Sequence, residues 1–307
     1  FQDGLAQEQG RDRLQALTGF DEIQARKLAA AAGEAYASGF GASVESNMDA
    51  ARLAAQFDLI DADASTRDAQ KVVEGLGGIA DVLGEDVQPV ARATTQMLRT
   101  GLVNSAEEAF DVLATGAREG VNISEDLLDT FTEYPTHFRD LGLSAEEALG
   151  LLNQGMEGGA RDSDKVADSL KELTLRVKDV GDKAAQGALK DLGLDGEAMA
   201  RSFAEGGPAA RDGLEQILTG LQSIEDPAER TRLALALFGT QSEDMAQALG
   251  TLDLTTAVDQ LNGVEGAAKS MFDTMADNDA SKVDQAFRNI EVAADGVKGA
   301  LAAAFSE

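Results

Sequence analysis

The 307-residue chain contains no cysteine and no tryptophan, a single histidine (His137), four prolines and only 5% aromatic residues. Without cysteine there is no disulfide framework, no thiolate chemistry and no cysteine-type zinc site. One histidine cannot replace those ligands, so ordinary zinc sites are excluded as well. No stretch alternates β-branched residues with polar ones, so no strand is signalled. No uninterrupted apolar run reaches the roughly 18 residues that a transmembrane helix needs. Basic residues are the minority, 26 Lys and Arg against 55 Asp and Glu, for a formal charge of −29. Gripping nucleic acid requires phosphate neutralisation by Lys and Arg, so this balance argues against specific nucleic-acid binding. An anionic membrane surface is disfavoured for the same reason, and the charge reads as a solvated exterior.

What remains is plentiful alanine and leucine, 43% hydrophobic residues and 32 glycines. That is too apolar for a disordered chain. The few prolines favour helix, and the many glycines break it, so the expectation is an all-α protein made of many short helices.

The clearest internal signal is a repeat. Ser105 to Gly142 reads SAEEAFDVLATGAREGVNISEDLLDTFTEYPTHFRDLG, and Ser144 to Gly181 reads SAEEALGLLNQGMEGGARDSDKVADSLKELTLRVKDVG, an ungapped offset of 144 − 105 = 39 residues. Gly116 falls on Gly155, Gly120 on Gly159, Ser124 on Ser163 and Asp129 on Asp168. Leu127, Phe131, Tyr134 and Phe138 are spaced i, i+4, i+7, i+11, and Val166, Leu170, Leu173 and Val177 repeat that spacing. Each set predicts the packing stripe of one α-helix. The period and its glycine punctuation predict helix-turn-helix units of about 39 residues that must stack to close a core. A weaker earlier copy runs through Val90, Ala93 and Met97 to Gly101.

In chain order, four stretches are expected: an amino-terminal helical segment (1–60), the repeat region (61–182), a second helical region (183–250) and a carboxyl-terminal helical segment (251–307). A helix is expected over 5–17, ended by Gly19, and Asp21 with Gln24 forms a capping box for the next. Tyr36 and Phe40, four apart, are expected as a buried pair on one helix face. Ser43 is expected to cap a helix through Met48 and Leu53. Gly75, Gly77 and Gly78 read as a helix break. A phosphate loop is rejected there, because no Lys-Ser/Thr follows and no strand precedes. Pro208 suits a helix start, as does Asp226-Pro227 with Glu229. A last amphipathic segment carries Val283, Phe287, Ile290 and Val292. The chain opens on Phe1 without a signal-peptide pattern and stops just after Gly296 to Phe305 begins a new apolar segment, so it reads as a piece of a longer polypeptide.

No constellation carries chemistry. Asp61, Asp63 and Ser65 have calcium-loop spacing, but Thr66 stands where glycine is needed and Val72 where glutamate is needed. Asp277, Asp279 and Ser281 fail in the same way. His137 has no nucleophile elbow near it and reads as a helix-surface or interface residue. Glu107/Glu108 and Glu146/Glu147 stand at helix starts, where acids favour the dipole, which leaves a glycosidase reading without weight. No catalytic, cofactor or metal residue is assigned.

The run GLVNSAEEAFDVLATG, then SEDLLDTFTEYPTHFRDLG, then LSAEEALGLLNQGMEGGARDSDKVADSLKEL, in unbroken order between Gly101 and Leu173, closely resembles the tail tape measure proteins of tailed bacteriophages, notably those of actinobacterial phages and prophages. The words GEAYASGFGASVESNMDAA, GGPAARDGL and EDPAERTRLALALFGTQSEDM extend the likeness over roughly residues 10–250. The resemblance implies a structural, non-enzymatic protein without cofactor. Such a protein occupies the tail lumen, nucleates tube assembly, sets tail length and leaves during genome ejection. Implied partners are the tail tube protein, tail tip or baseplate hub proteins, tail assembly chaperones and further copies of itself, as a trimer. The implied location is the virion tail, and the host cytoplasm during assembly. Two rival classes are a free-standing α-helical scaffold or adaptor presenting a binding face, and a cell-wall hydrolase, which the missing catalytic constellation disfavours.

Overall fold

The computed structural model describes residues 2–239, 245–277 and 279–304, with side-chain surroundings for 9–239, 245–277 and 281–294. The apolar stretch 296–305 and the Asp279 side chain lie outside the residues so described, as do Gly239's neighbours 240–244. Every regular element is a helix, with no strand among the described residues. The chain divides into two units, one formed by 1–95 with 268–307 and one by 96–267.

The first unit is built from α1 (Gln2–Thr18), α2 (Glu22–Ala37), α3 (Val44–Gln56) and α4 (Thr66–Leu83). α2 packs on both α3 and α4, and α1 packs on α3. The buried faces are mostly alanine, Ala25, Ala31, Ala32 and Ala35 on α2 and Ala50, Ala51 and Ala54 on α3. Small side chains let the axes approach closely, which is how a chain poor in aromatics fills a core. Local chemistry sets the ends. Asp21 and Gln24 close a reciprocal capping box on α2, and Ser43 with Ser46 does the same on α3. Asn47, buried at the α2–α3 turn, donates to the carbonyls of Ala32 and Phe40 at 3.2 and 2.9 Å, so the break is internally satisfied.

Two expectations fail here. α4 runs straight through Gly75, Gly77 and Gly78. A Cβ at Gly78 would lie 2.4 Å from the ring of Phe272, so the glycine makes a groove for an aromatic ring from far along the chain. Tyr36 and Phe40 do not share a helix face. α2 ends at Ala37, and Phe40, beyond it, meets Phe272 edge-on with ring centroids 5.4 Å apart.

α5 (Val87–Arg99) leads into the second unit, which holds α6 (Ala106–Arg118), α7 (Leu127–Glu133), α8 (Pro135–Asp140), α9 (Ala145–Glu157), α10 (Ser163–Lys178), α11 (Lys183–Asp191), α12 (Gly196–Glu205), α13 (Gly207–Gln222), α14 (Pro227–Phe238) and α15 (Ala246–Leu249). The repeats stack like on like, α6 on α9 and α7 on α10. Residues 250–266 form an irregular segment containing one 3-10 turn (Asp259–Leu261). Its Leu252, Leu254, Ala257 and Leu261 are buried. Its backbone is held by side chains of the repeat helices. The Gln154 amide accepts from Asp253 N at 2.7 Å and donates to Asp253 O at 2.9 Å, as a neighbouring strand would. Arg118 donates to the carbonyls of Leu261 and Gly263.

α16 (Ala267–Ala276) and α17 (Asp279–Ala304) then return to the first unit, where α17 lies on α1 and α2.

Candidate functional site

The stacked repeats are the feature with the most internal order. Ser105 and Ser144 cap α6 and α9 by accepting from the backbone N–H three residues on, at 3.1 and 3.0 Å. Gly120 and Gly159 have φ of +81° and +102°, the left-handed turn that ends a helix. The residue after each donates back to the fifth carbonyl before it, Val121 to Gly116 and Ala160 to Gly155, both at 2.9 Å. Gly116 and Gly155 serve one purpose. A Cβ at Gly116 would sit 2.8 Å from Leu127 Cδ2, and one at Gly155 would sit 2.6 Å from Val166 Cγ2. Each glycine therefore admits the first stripe residue of its own unit against the helix backbone.

All eight stripe residues are buried. Leu127, Phe131 and Phe138 of the first unit and Val166, Leu170, Leu173 and Val177 of the second are 0–1% exposed, and Tyr134 is 7% exposed. The first stripe is not on one helix, however. The chain breaks at Tyr134-Pro135, because proline lacks the N–H that α7 would need, and α8 begins on it. α10 has Thr174 at the position matching Pro135 and continues unbroken. α7 also starts later than its counterpart: Ser124 lies in a turn, and Glu125 has φ of +57°.

That turn joins the two repeats. Ser124 Oγ donates to Arg161 O at 2.7 Å, Asp126 Oδ2 accepts from Asp164 N at 2.8 Å, and Thr130 and Ser163 share a hydroxyl–hydroxyl bond of 2.9 Å. Tyr134 donates to Asp164, and its ring faces Lys171 at 6.0 Å. Burial, then the charges of Asp164 and Asp168, raise the Tyr134 hydroxyl pKa. Burial, with Lys171 adding to it, lowers that of His137, which keeps the imidazole neutral near pH 7. These directions describe a desolvated seam between repeats. Among the described residues no group of three or more His, Cys, Asp and Glu is arranged to hold a metal, and no helix is long and apolar enough to cross a membrane. A cavity of about 210 Å³ lies in the first unit among Phe40, Gly78, Asp81, Phe272 and Arg288.

Two arrangements had no sequence signature. One is the irregular segment on α6 and α9, to which Gly150 presents bare backbone; a Cβ there would meet Ala257 O at 2.3 Å. The other is the inner face of α17, which is polar. Gln285 donates to Ser38 O, Arg288 to Gly41 O, and Tyr36 donates to Glu291 at 2.9 Å.

Stacked helical repeats, closed by packing and capped by local hydrogen bonds, define a protein of the helical-array class. The chain belongs to the phage-related minor tail protein family, whose model matches residues 12–239. It is 50% identical over 236 residues to a probable tape measure protein of Streptomyces phage phiC31, across 77% of this chain and 32% of that relative. The chain thus spans about a third of that relative's length. No solved structure matches it. It is a structural protein of the phage tail.

Proposed function

We propose that the chain is the folded part of a tail tape measure protein. In this reading it occupies the tail lumen, nucleates the tube, sets tail length and is released when the genome is ejected. The observation that carries the reading is the 50% identity to a relative named as a probable tape measure protein. Its partners are the inner wall of the tail tube, tail tip or baseplate hub proteins, assembly chaperones in the host cytoplasm, and further copies of the chain, as a trimer. The charge of −29 supports a surface that shares a channel with DNA without adhering to it. The role is structural and needs no catalytic group or cofactor.

In-frame duplication of one 39-residue unit, 105–143, in the phage or prophage that encodes the chain tests the ruler. A unit drawn out of its stack to lie extended along the lumen, at 1.5 Å per helical residue, lengthens tails measured by electron microscopy by ~58 Å, and a unit that stays stacked lengthens them by less. Tails that assemble at unchanged length would remove this segment from the ruler and leave it as a docking module.

A further inference from the structure

The irregular segment 250–266 carries the chain's one Asn-Gly pair, Asn262-Gly263. Asparagine before glycine is chemically unstable, because the next residue has no Cβ to keep its peptide nitrogen from closing on the asparagine side chain. Both residues are exposed, and a Cβ on Gly263 would meet nothing within 4 Å. Solvent therefore reaches the pair.

Backbone geometry is what guards it. Asn262 lies in the left-handed region at φ 52° and ψ 33°, and Gly263 follows at φ 90°. At that ψ the Gly263 nitrogen lies across the Cα–C bond from the Asn262 side chain and cannot reach Cγ. Ring closure needs a large rotation about that bond, and the rotation is opposed on both sides. Leu261 and Val264 are 0% and 6% exposed, so turning the bond lifts one of them from its seat. Arg118 of α6 donates to the carbonyls of Leu261 and Gly263, the latter at 2.8 Å, and so bridges the bond that must turn. Asp111, also of α6, accepts from Gly266 N at 2.8 Å and holds the following turn. The Asn262 amide itself is loosely tethered, 3.4 Å from Gln260 O.

We propose that Asn262-Gly263 is a self-modification site, closed while segment 250–266 lies on α6 and α9 and opened when it lifts, at which Asn262 is converted to isoaspartate or aspartate. The Gly263 nitrogen gives its proton to water or hydroxide and bonds to Asn262 Cγ. The Cγ–Nδ2 bond breaks, and the nitrogen takes up a proton and leaves as ammonia. Water then opens the cyclic imide. Addition at Cγ gives aspartate; addition at the main-chain carbonyl gives isoaspartate, in which the chain runs through the side chain and is longer by one carbon. One water enters, one ammonia leaves, and nothing is oxidised or reduced. Either product adds a negative charge to a chain already at −29. Isoaspartate also changes the spacing of the two carbonyls that Arg118 bridges, so the modified segment does not re-dock. The face it covered, bare backbone at Gly150, then stays open.

Ageing the 307-residue chain at mildly alkaline pH tests this. Peptide mass spectrometry counts deamidation at residue 262, and enzymatic methylation of isoaspartyl groups identifies the isomer. The folded chain deamidates there more slowly than the urea-unfolded chain by roughly tenfold or more, the weight of a local opening. Arg118→Gln, with its helical signal retained by far-UV circular dichroism, reacts roughly tenfold faster than folded wild type, the effect of one charged hydrogen bond on the opening. Gln154→Ala frees the Asp253 end of the same segment and carries the same expectation where Arg118→Gln does not fold. Amide exchange over 250–266 is faster in the isoaspartyl form than in the fresh chain. Equal rates in folded and unfolded chain, or a folded variant no faster than wild type, overturn the gating. No isoaspartate at 262 even from the unfolded chain overturns the site. Unchanged exchange in the isoaspartyl form overturns the failure to re-dock.

Discussion

Gly116 and Gly155 occupy the same place in successive repeats, yet their neighbours differ in what they can yield. Leu127 Cδ2, 2.8 Å from a Cβ at 116, is the end of a flexible side chain; Val166 Cγ2, 2.6 Å from one at 155, belongs to a β-branched residue with one favoured rotamer. Glycine to alanine in a helix interior ordinarily gains about 1 kcal/mol, and overpacking costs about 1–3 kcal/mol. Gly116→Ala therefore comes out near neutral in thermal unfolding, while Gly155→Ala destabilises by about 1–2 kcal/mol. Glu146 gives a second test. Burial and then its acidic neighbours Glu108, Glu265 and Glu147 hold its pKa above 4.5. A carboxyl raised in the folded state binds its proton more tightly there than in the unfolded chain, so its charge is a penalty at pH 7 that lifts as the pH falls through the raised pKa. Glu146→Gln raises the melting midpoint at pH 7, by about 1–3 °C, and the advantage closes as the pH approaches 4.5. A difference independent of pH would show that the penalty is not electrostatic.

At the scale of the element, what could be read in the chain is what is decided within a few residues. Asp21 with Gln24, Ser43 and Asp226 all cap the helices expected of them, and Ser105 and Ser144 cap the two repeat helices. Capping depends on a side chain two or three residues from its backbone partner, so it is written locally. The two repeat caps still differ. Glu147 returns its carboxylate to the Ser144 N–H at 3.0 Å, closing the box, whereas Glu108 reaches past Ser105 to Asn104 N at 2.7 Å. Ser144→Ala and Ser105→Ala should each cost about 1 kcal/mol in chemical denaturation; Glu147→Ala should add a further loss whether or not Ser144 is present, because its carboxylate meets the backbone N–H of residue 144 and the Arg211 guanidinium, which a double-mutant cycle reads directly. Where the fold departs from its pattern, the cause is distant. Gly78 looks like a break until Phe272 is brought to it, and residues 250–266 show no period because side chains of other elements, Gln154 and Arg118, satisfy their backbone. The stripe at Leu127 to Phe138 was visible at all its positions, and only Pro135 betrayed that two helices carry it. The polar underside of α17 was hidden for the same reason: Gln285 and Arg288 bond to carbonyls 247 residues away in the chain.

At the scale of the molecule, the first unit is discontinuous, with 1–95 completed by 268–307. Deleting 268–307 removes Phe272 from the Gly78 groove and Glu291 from Tyr36. Amide hydrogen exchange should then quicken in α2 and α4 and stay unchanged in α9 and α10, which pack within the other unit. Equal protection throughout α2 and α4 would mean that those helices hold together without the returning segment.

The same discontinuity sets a clock during synthesis. The stretch between the two parts of the first unit is 267 − 95 = 172 residues. At 5–20 residues per second a ribosome takes roughly 10–30 s to make it. For that interval the nascent helices α1–α4 stand with the Gly78 groove open and the Tyr36 hydroxyl without its carboxylate, while the unit encoded later is free to fold first. Completion of the amino-terminal unit is thereby tied to arrival of α17, the helix that brings Glu291 to Tyr36 and Arg288 to the Gly41 carbonyl.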